Sequence, residues 1–333
     1  MKIIVDAMGG DNAPEQIVMG AAQAAEELDK KITLVGDVAR IQEVLTRYSI
    51  QEEWFDFVDA KEVISNEEEP AQAVRRKKDS SLCVGLNLAK EKNSVFLSAG
   101  STGALLTGAL VYLGRIKDIK RPAIAILIPN KLGKMTMLLD AGANADCKAE
   151  YLQQFALMGS IYMKNMYQLQ APRVALLNIG TEAAKGNALM KEAYDLLEGE
   201  EIAFVGNMEG RSLFDGDCDV IVCDGFSGNV VLKTIEGTAK MFFGGIKEIM
   251  RQSAITKLAG ALMKKPIKAF AGKYDYTAYG GSPLLGVNGA VIKAHGSSDA
   301  TAIKNAVFAG YEYGQSKIIS EILEKGIEKN TNI

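Results

Sequence analysis

The sequence predicts an α/β fold: a doubly wound, largely parallel sheet with helices on both faces. Three observations predict it. Apolar runs of strand length recur along the 333 residues, and they lack the strict apolar/polar alternation of strands with one wet face. Helical patterns alternate with most of these runs. Nearly every run ends in a small polar or acidic residue close to glycine, as strand-to-helix turns do.

In chain order the strand runs are Ile3–Val5, Ile32–Val35, Val95–Leu97, Ile124–Ile128, Met135–Leu139, Val174–Leu177, Ile202–Val205 and Val220–Val222. Pro14 opens a helix over Glu15 to Glu27, its fixed φ suiting the first helical position. Further helical patterns cover Val38–Tyr48, Ala71–Glu91, Thr102–Leu113, Lys148–Tyr167, Ala188–Leu197, Val230–Arg251 and Asp299–Lys325. No internal repeat or low-complexity linker divides the chain, so residues 1–333 read as one α/β/α domain.

The strand-end turns carry the chemistry. They are Asp6 with Gly9, Gly10 and Asp11; Ser98 with Gly100, Ser101, Thr102 and Gly103; Asp140 with Gly142 and Asn144; Asn178 with Gly180; and Asp224 with Gly225, Gly228 and Asn229. In an open α/β sheet such turns belong to one face, where ligands bind. Glycine permits close approach of backbone N–H groups, and the following helix N-terminus favours negative charge. The repetition predicts a shared anion-binding cleft.

Composition narrows the function. With 38 basic and 41 acidic residues the net charge is −3, which excludes the basic surface of a nucleic-acid binder. A lone histidine, His295, excludes two-histidine zinc sites, so no metal is expected. Cys83, Cys147, Cys218 and Cys223 form no CxxC pair and read as reduced thiols of a cytoplasmic protein. The N-terminal apolar run is too short for a signal peptide. Residues 93–114 carry no charge but hold too many Ser, Thr and Gly to span a bilayer. GxGxxG and P-loop patterns are absent, Gly225–Gly228 is one residue short of GxSxG, and Asp215, Asp217 and Asp219 lack the Gly and Glu of a calcium loop. Cys223 beside Asp224 has its thiol pKa raised rather than lowered and reads as core.

Residues 249–274 hold six basic and no acidic residues, so this segment carries +6 and the remainder −9. At about 100° per residue, Leu258 and Leu262 cluster around Ile255, with Lys257 and Lys264 opposite. Pro266 is expected to break the helix, giving a basic amphipathic helical hairpin that projects from the sheet domain. Lys257, Leu258, Leu262, Lys264, Lys265 and Lys268 suit docking on anionic lipid or an acidic partner; packing on the body or a second subunit is the alternative.

The blocks Ile3–Pro14, Ser98–Ala104, Asn178–Glu182 with Lys185-Gly186, Asp224–Asn229, and Gly286–Gly289 with His295–Ser298 resemble the bacterial acyl-[acyl-carrier-protein]:phosphate acyltransferases of phospholipid synthesis. The resemblance covers nearly the whole chain. It implies a fold like that of phosphate acetyltransferases and isocitrate dehydrogenases. It also implies a homodimer that works in the cytoplasm, peripheral to the inner face of the cell membrane. The implied reaction moves a fatty acyl group from acyl carrier protein to inorganic phosphate, giving acyl phosphate for a membrane acyltransferase.

Phosphate is a competent nucleophile, and the thioester leaves as a thiolate with a free-thiol pKa of about 8.5, so no covalent intermediate or cofactor is required. The protein must orient the reactants and stabilise the oxyanion. Asp6, the Gly9–Asp11 turn and the Ser98–Gly103 turn are the expected cradles, joined by Asn178. Lys185 is the expected cation for phosphate or for the carrier's phosphopantetheine arm. Asn229 and Asn288 are candidate oxyanion donors, and Asp224 or His295 candidate proton carriers. Asp6 and Asp11 read equally as turn formers or helix caps, and His295 equally as a structural hydrogen-bonding residue. A nicotinamide-dependent decarboxylating dehydrogenase on the same fold and a non-enzymatic scaffold for membrane and carrier protein are the alternatives.

Overall fold

The computed structural model describes residues 1–273 and 280–331. Eleven strands form one sheet: β1 (Lys2–Asp6), β2 (Ile32–Gly36), β3 (Phe55–Asp59), β4 (Ser94–Ser98), β5 (Ala123–Pro129), β6 (Met135–Leu139), β7 (Arg173–Asn178), β8 (Ala203–Glu209), β9 (Val220–Val222), β10 (Ser282–Leu285) and β11 (Ala290–Lys293). Their order is β3-β2-β1-β4-β11-β10-β5-β6-β9-β7-β8. The helices are α1 (Glu15–Leu28), α2 (Val38–Arg47), α3 (Pro70–Arg76), α4 (Ser81–Leu88), α5 (Thr102–Tyr112), α6 (Ala149–Tyr167), α7 (Ala188–Glu198), α8 (Gly225–Ile249), α9 (Ala254–Lys273), α10 (Ala300–Gln315) and α11 (Ile318–Thr331).

Helices cover both faces. On β1, Ile3 and Val5 join Ile17 of α1 and Ile303 of α10 in one core, while Ile4 packs with Leu86 of α4 and Leu105 of α5 on the other side. A third cluster sets Ile126 and Leu138 against Leu232 of α8. The buried central strands are apolar on successive residues because each face meets a helix layer.

The expectation that all strand-end turns share one face is corrected. Strands β3, β2, β1, β4 and β11 are mutually parallel, as are β6, β9, β7 and β8. Between them β10 and β5 each pair antiparallel with both neighbours, so the two parallel halves point in opposite directions. The β10–β5 ladder holds only Leu284↔Ile124 and Leu285↔Ala123. Beyond it β10 stays with β11 and β5 stays with β6, so the sheet forks at its centre.

The remaining differences are local. The helix expected over Ala71–Glu91 is two, because Ser80 caps α4 and starts a new direction. The helix expected over Asp299–Lys325 breaks at Ser316. Pro266 does not break its helix: α9 runs through it to Lys273. One proline removes a single ladder donor, and the helical run is interrupted earlier instead, between Ile249 and Ala254. There the Ser253 N–H donates to Thr256 Oγ1 and the Thr256 N–H donates to Ser253 Oγ, a reciprocal cap that starts α9. The basic segment therefore falls mainly in α9, which follows α8 in the chain. Tyr274, the end of that segment, lies outside the described residues.

Candidate active site

Strand β1 ends in a buried carboxylate. Asp6 accepts hydrogen bonds from the Met8 N–H at 3.1 Å and from the Ser98 hydroxyl at 2.6 Å, and Ser98 Oγ accepts from the Gly100 N–H at 3.0 Å. Burial raises the Asp6 pKa above the usual carboxylate range, and these bonds, with those of Ser81 and Gly9, oppose the rise. The turn admits only glycine at position 9, where a Cβ would stand 2.6 Å from Asp6 Oδ2 and 2.7 Å from the Gly100 nitrogen. Gly10 has φ 105°, a conformation that favours glycine. The two turns expected to form cradles do meet. A third turn, after β11, joins them: the Asp11 N–H donates to the Gly296 carbonyl at 2.8 Å, and the Asn12 amide donates to Ser297 O at 3.2 Å.

A cavity of about 470 Å³ opens where the sheet forks. Asp11, Gly100 and Thr102 line it beside Lys293, His295 and Gly296 of the third turn. Ile124, Ile126 and Leu127 of β5, with Leu232 of α8, form an apolar wall. Although the second half of the sheet runs the other way, its innermost strand β6 delivers Gly142 to the same cavity, and α8 adds Asn229 and Lys233.

That contribution rests on Asp140. Its carboxylate accepts from the backbone N–H groups of Ile124, Gly142, Ala143 and Asn144 at 2.7–3.2 Å, and from the Asn144 amide at 2.9 Å. Burial raises its pKa, opposed by those bonds. The start of α8 seats directly on this turn. A Cβ on Gly228 would lie 1.9 Å from the Asp140 carbonyl oxygen, and one on Gly225 would lie 2.6 Å from that of Asn144.

Lys293 is the residue that sequence reasoning missed. It ends β11, paired in register with Ser98 of β4. Its ammonium donates to the Ala99 carbonyl at 3.3 Å and to the Ala294 carbonyl. Desolvation, aided by Lys233, pulls its pKa down to about 8 against the attraction of Asp11 and Asp6. The available signal was its place two residues before His295, at the start of a small-residue turn. His295 stands beside it at the cavity wall, partly exposed, its Nδ1 accepting from the Ser297 N–H at 3.2 Å. That bond assigns the neutral ring's proton to Nε2. Desolvation and the nearby Lys293 and Lys233 lower the His295 pKa, while Glu236 and Asp11 oppose the shift.

Other expected residues have structural places. Asp224 caps α8, accepting from the Ser227 N–H at 2.7 Å and the Ser227 hydroxyl at 2.9 Å. Ser101 caps α5 through the Ala104 N–H, and Gly103 packs against Pro70. Asn178 ties its own loop together, donating to Lys185 O and to Asn207 Oδ1 at 3.1 Å. Lys185 is exposed, 4.0 Å from Glu182 in that loop and outside the cavity. Asn288 lies on the exposed turn between β10 and β11, its N–H donating to the Gly114 carbonyl, also outside the cavity.

The family described as "Fatty acid synthesis protein" matches residues 1–321. A phosphate acyltransferase of Halothermothrix orenii is 48% identical over 329 residues, covering 98% of each chain. That of Clostridium acetobutylicum is 48% identical over 333 residues, covering 99% of this chain and 100% of its own. Solved structures share the fold at low identity. A phosphotransacetylase of Streptococcus pyogenes has TM-score 0.61 at 17% identity, covering 94% of this chain and 93% of that one. The 4-hydroxythreonine-4-phosphate dehydrogenase of Klebsiella pneumoniae has TM-score 0.55 at 10% identity, covering 94% and 99%. Full-length identity of this order places the chain in the fatty acid synthesis protein family, and its relatives there are phosphate acyltransferases.

Proposed function

We propose that the protein moves the fatty acyl group of acyl–acyl carrier protein onto inorganic phosphate, releasing free carrier protein and an acyl phosphate for phosphatidic acid synthesis. The observation that carries this reading is the cavity itself. It sets small-residue turns and two lysines beside an apolar wall, as a reaction between a small anion and a fatty thioester requires. A phosphate oxygen attacks the thioester carbon, the C–O bond forms and the C–S bond breaks. The proton of hydrogen phosphate ends on the departing sulfur. The Thr102 end of α5 favours negative charge, the Asn229 amide and the His295 Nε2–H line the cavity as donors for the developing oxyanion, and Ile124 and Ile126 receive the start of the acyl chain. Fold likeness to a dehydrogenase is a likeness of scaffold and does not favour the nicotinamide reading.

The test incubates purified protein with acyl–acyl carrier protein and phosphate, trapping acyl phosphate with hydroxylamine and titrating the freed carrier thiol. Equal amounts of both, without added cofactor, are expected; thiol release with no acyl phosphate defeats the reading.

The proposal extends to place. No described helix is long and apolar enough to cross a membrane. On α9, Ile255, Leu258 and Leu262 are 82%, 67% and 75% exposed on a helix that also bears Lys257, Lys264, Lys265 and Lys268. Cations flanking bare apolar side chains suit an anionic bilayer surface, so α9 holds a cytoplasmic enzyme at the inner face of the cell membrane. A second copy of the chain is proposed to cover Ile179, 80% exposed after β7, and Phe226 after the adjacent β9.

A further inference from the structure

Resting on the acyltransferase reading, we infer that Lys293 is the cation that holds the attacking phosphate. Three observations support it. First, Lys293 is fixed. It ends a strand that is hydrogen-bonded to β4, and its ammonium is anchored on the Ala99 and Ala294 carbonyls. An ammonium has three N–H donors, so one remains for a ligand in the cavity.

Second, among the described residues no carboxylate lies within ion-pair distance of its ammonium, although Asp11 and Asp6 attract it from farther off. The charged groups around it are Asp6 and Asp11 from the β1 turn, Lys233 from α8 and His295 from its own turn. Asp6 is already engaged by Ser98 and Met8. Lys233 pairs with Glu236 at 2.8 Å on its own helix. A dianion between Lys293 and the first turn of α5 gives the ammonium the direct anionic partner that neither carboxylate provides.

Third, the site is partly desolvated, which makes a charge-assisted bond there stronger than on the surface. Lys185, by contrast, sits in an exposed loop near Glu182. During transfer the bound dianion keeps its contact with Lys293 while one phosphate oxygen forms the new C–O bond, so Lys293 touches the nucleophile and carries no covalent intermediate.

The cation also sets a pH window. Lys293 loses its charge as pH rises through about 8, where phosphate is already a dianion, so phosphate binding weakens above that pH. The test measures the Michaelis constant for phosphate against pH in wild type, Lys293→Met and Lys293→Arg. Lys293→Met should raise it by roughly 10- to 100-fold near neutral pH, the equivalent of one lost charge-assisted bond, with the acyl-donor constant nearly unchanged. The wild-type value should climb above about pH 8 and that of Lys293→Arg should stay flat, because guanidinium does not titrate there. An unchanged phosphate constant in Lys293→Met overturns the inference, as does a wild-type profile that is flat through this range. Should Lys293→Met not fold, the wild-type and arginine profiles decide. Calorimetry of inorganic phosphate alone with wild type and Lys293→Arg across the same pH range separates the two ideas: pH-dependent phosphate binding without turnover defeats only the acyltransferase reading.

Discussion

The Ser98 hydroxyl donates a 2.6 Å hydrogen bond to Asp6 Oδ2 across the β1–β4 pair, so two turns 92 residues apart in sequence share one buried carboxylate. Ser98→Ala leaves that oxygen without its donor and is expected to cost about 1–3 kcal/mol, read as a lower denaturant midpoint with unchanged slope. Burial raises the folded-state pKa of Asp6. Its contribution to stability is therefore present below the ordinary carboxyl range and is lost as pH rises through the raised value. Asp6→Asn should flatten the melting temperature against pH over that window; a slope equal to wild type would count against this assignment.

Glycines on one helix should respond oppositely. Gly228→Ala drives a methyl group to 1.9 Å from the Asp140 carbonyl, so the start of α8 must shift off the Asp140 turn. A loss of at least about 3 kcal/mol, or failure to accumulate as soluble protein, is expected. A Cβ at Gly244 meets nothing within 4 Å. Gly244→Ala should stabilise the protein by about 0.5–1 kcal/mol through helix propensity. Equal thermal shifts in the two variants would contradict the packing described.

Leu258→Glu with Leu262→Glu places two carboxylates on the exposed face of α9. Sedimentation with vesicles containing anionic phospholipid should drop sharply. Turnover in solution should survive, because neither residue lines the cavity. Undiminished vesicle binding would reassign the arm to carrier protein or to a second subunit.

His295 has its pKa lowered by desolvation and by Lys293 and Lys233, so the ring stays neutral to a pH below its ordinary value of about 6.5. The acid limb of kcat should lie below that value in wild type and vanish in His295→Gln, with the remaining rate lower at all pH. An acid limb retained by the variant would show that the titrating group is not His295.

Ile179→Asp combined with Phe226→Asp should convert the assembly to single chains in analytical ultracentrifugation. A wild type that already sediments as a monomer would sink the proposed dimer.

Much of this was readable from residues alone. Contiguous apolar runs such as Ile3–Val5 and Met135–Leu139 mark strands buried on both faces, and glycine turns mark their ends. The edge strand β3 escaped because Phe55–Asp59 alternates apolar residues with acids, and β10 because it is four residues long and contains Pro283. Missing β10 and β11 hid the reversal of direction at the sheet centre. It also hid Lys293, whose importance depends on the strand that carries it. Lys185 drew attention through its glycine-rich neighbourhood, but local sequence does not say which turns meet across a forked sheet. Asp224 shows the same limit: a carboxylate at a strand end reads as chemistry, and its two bonds to Ser227 make it a cap.

Helix α8 works as a ruler. Its first turns place Asn229 and Lys233 in the cavity wall, and its far end at Ile249 leads into the basic arm. At 1.5 Å per residue, Lys233 and Ile249 are about 24 Å apart. Under the proposed function, the length of this one helix sets the distance between the place where the acyl product forms and the segment that meets the bilayer. Adding or removing a turn there would move the enzyme's standoff from the membrane in steps of about 5.4 Å without touching a reacting group.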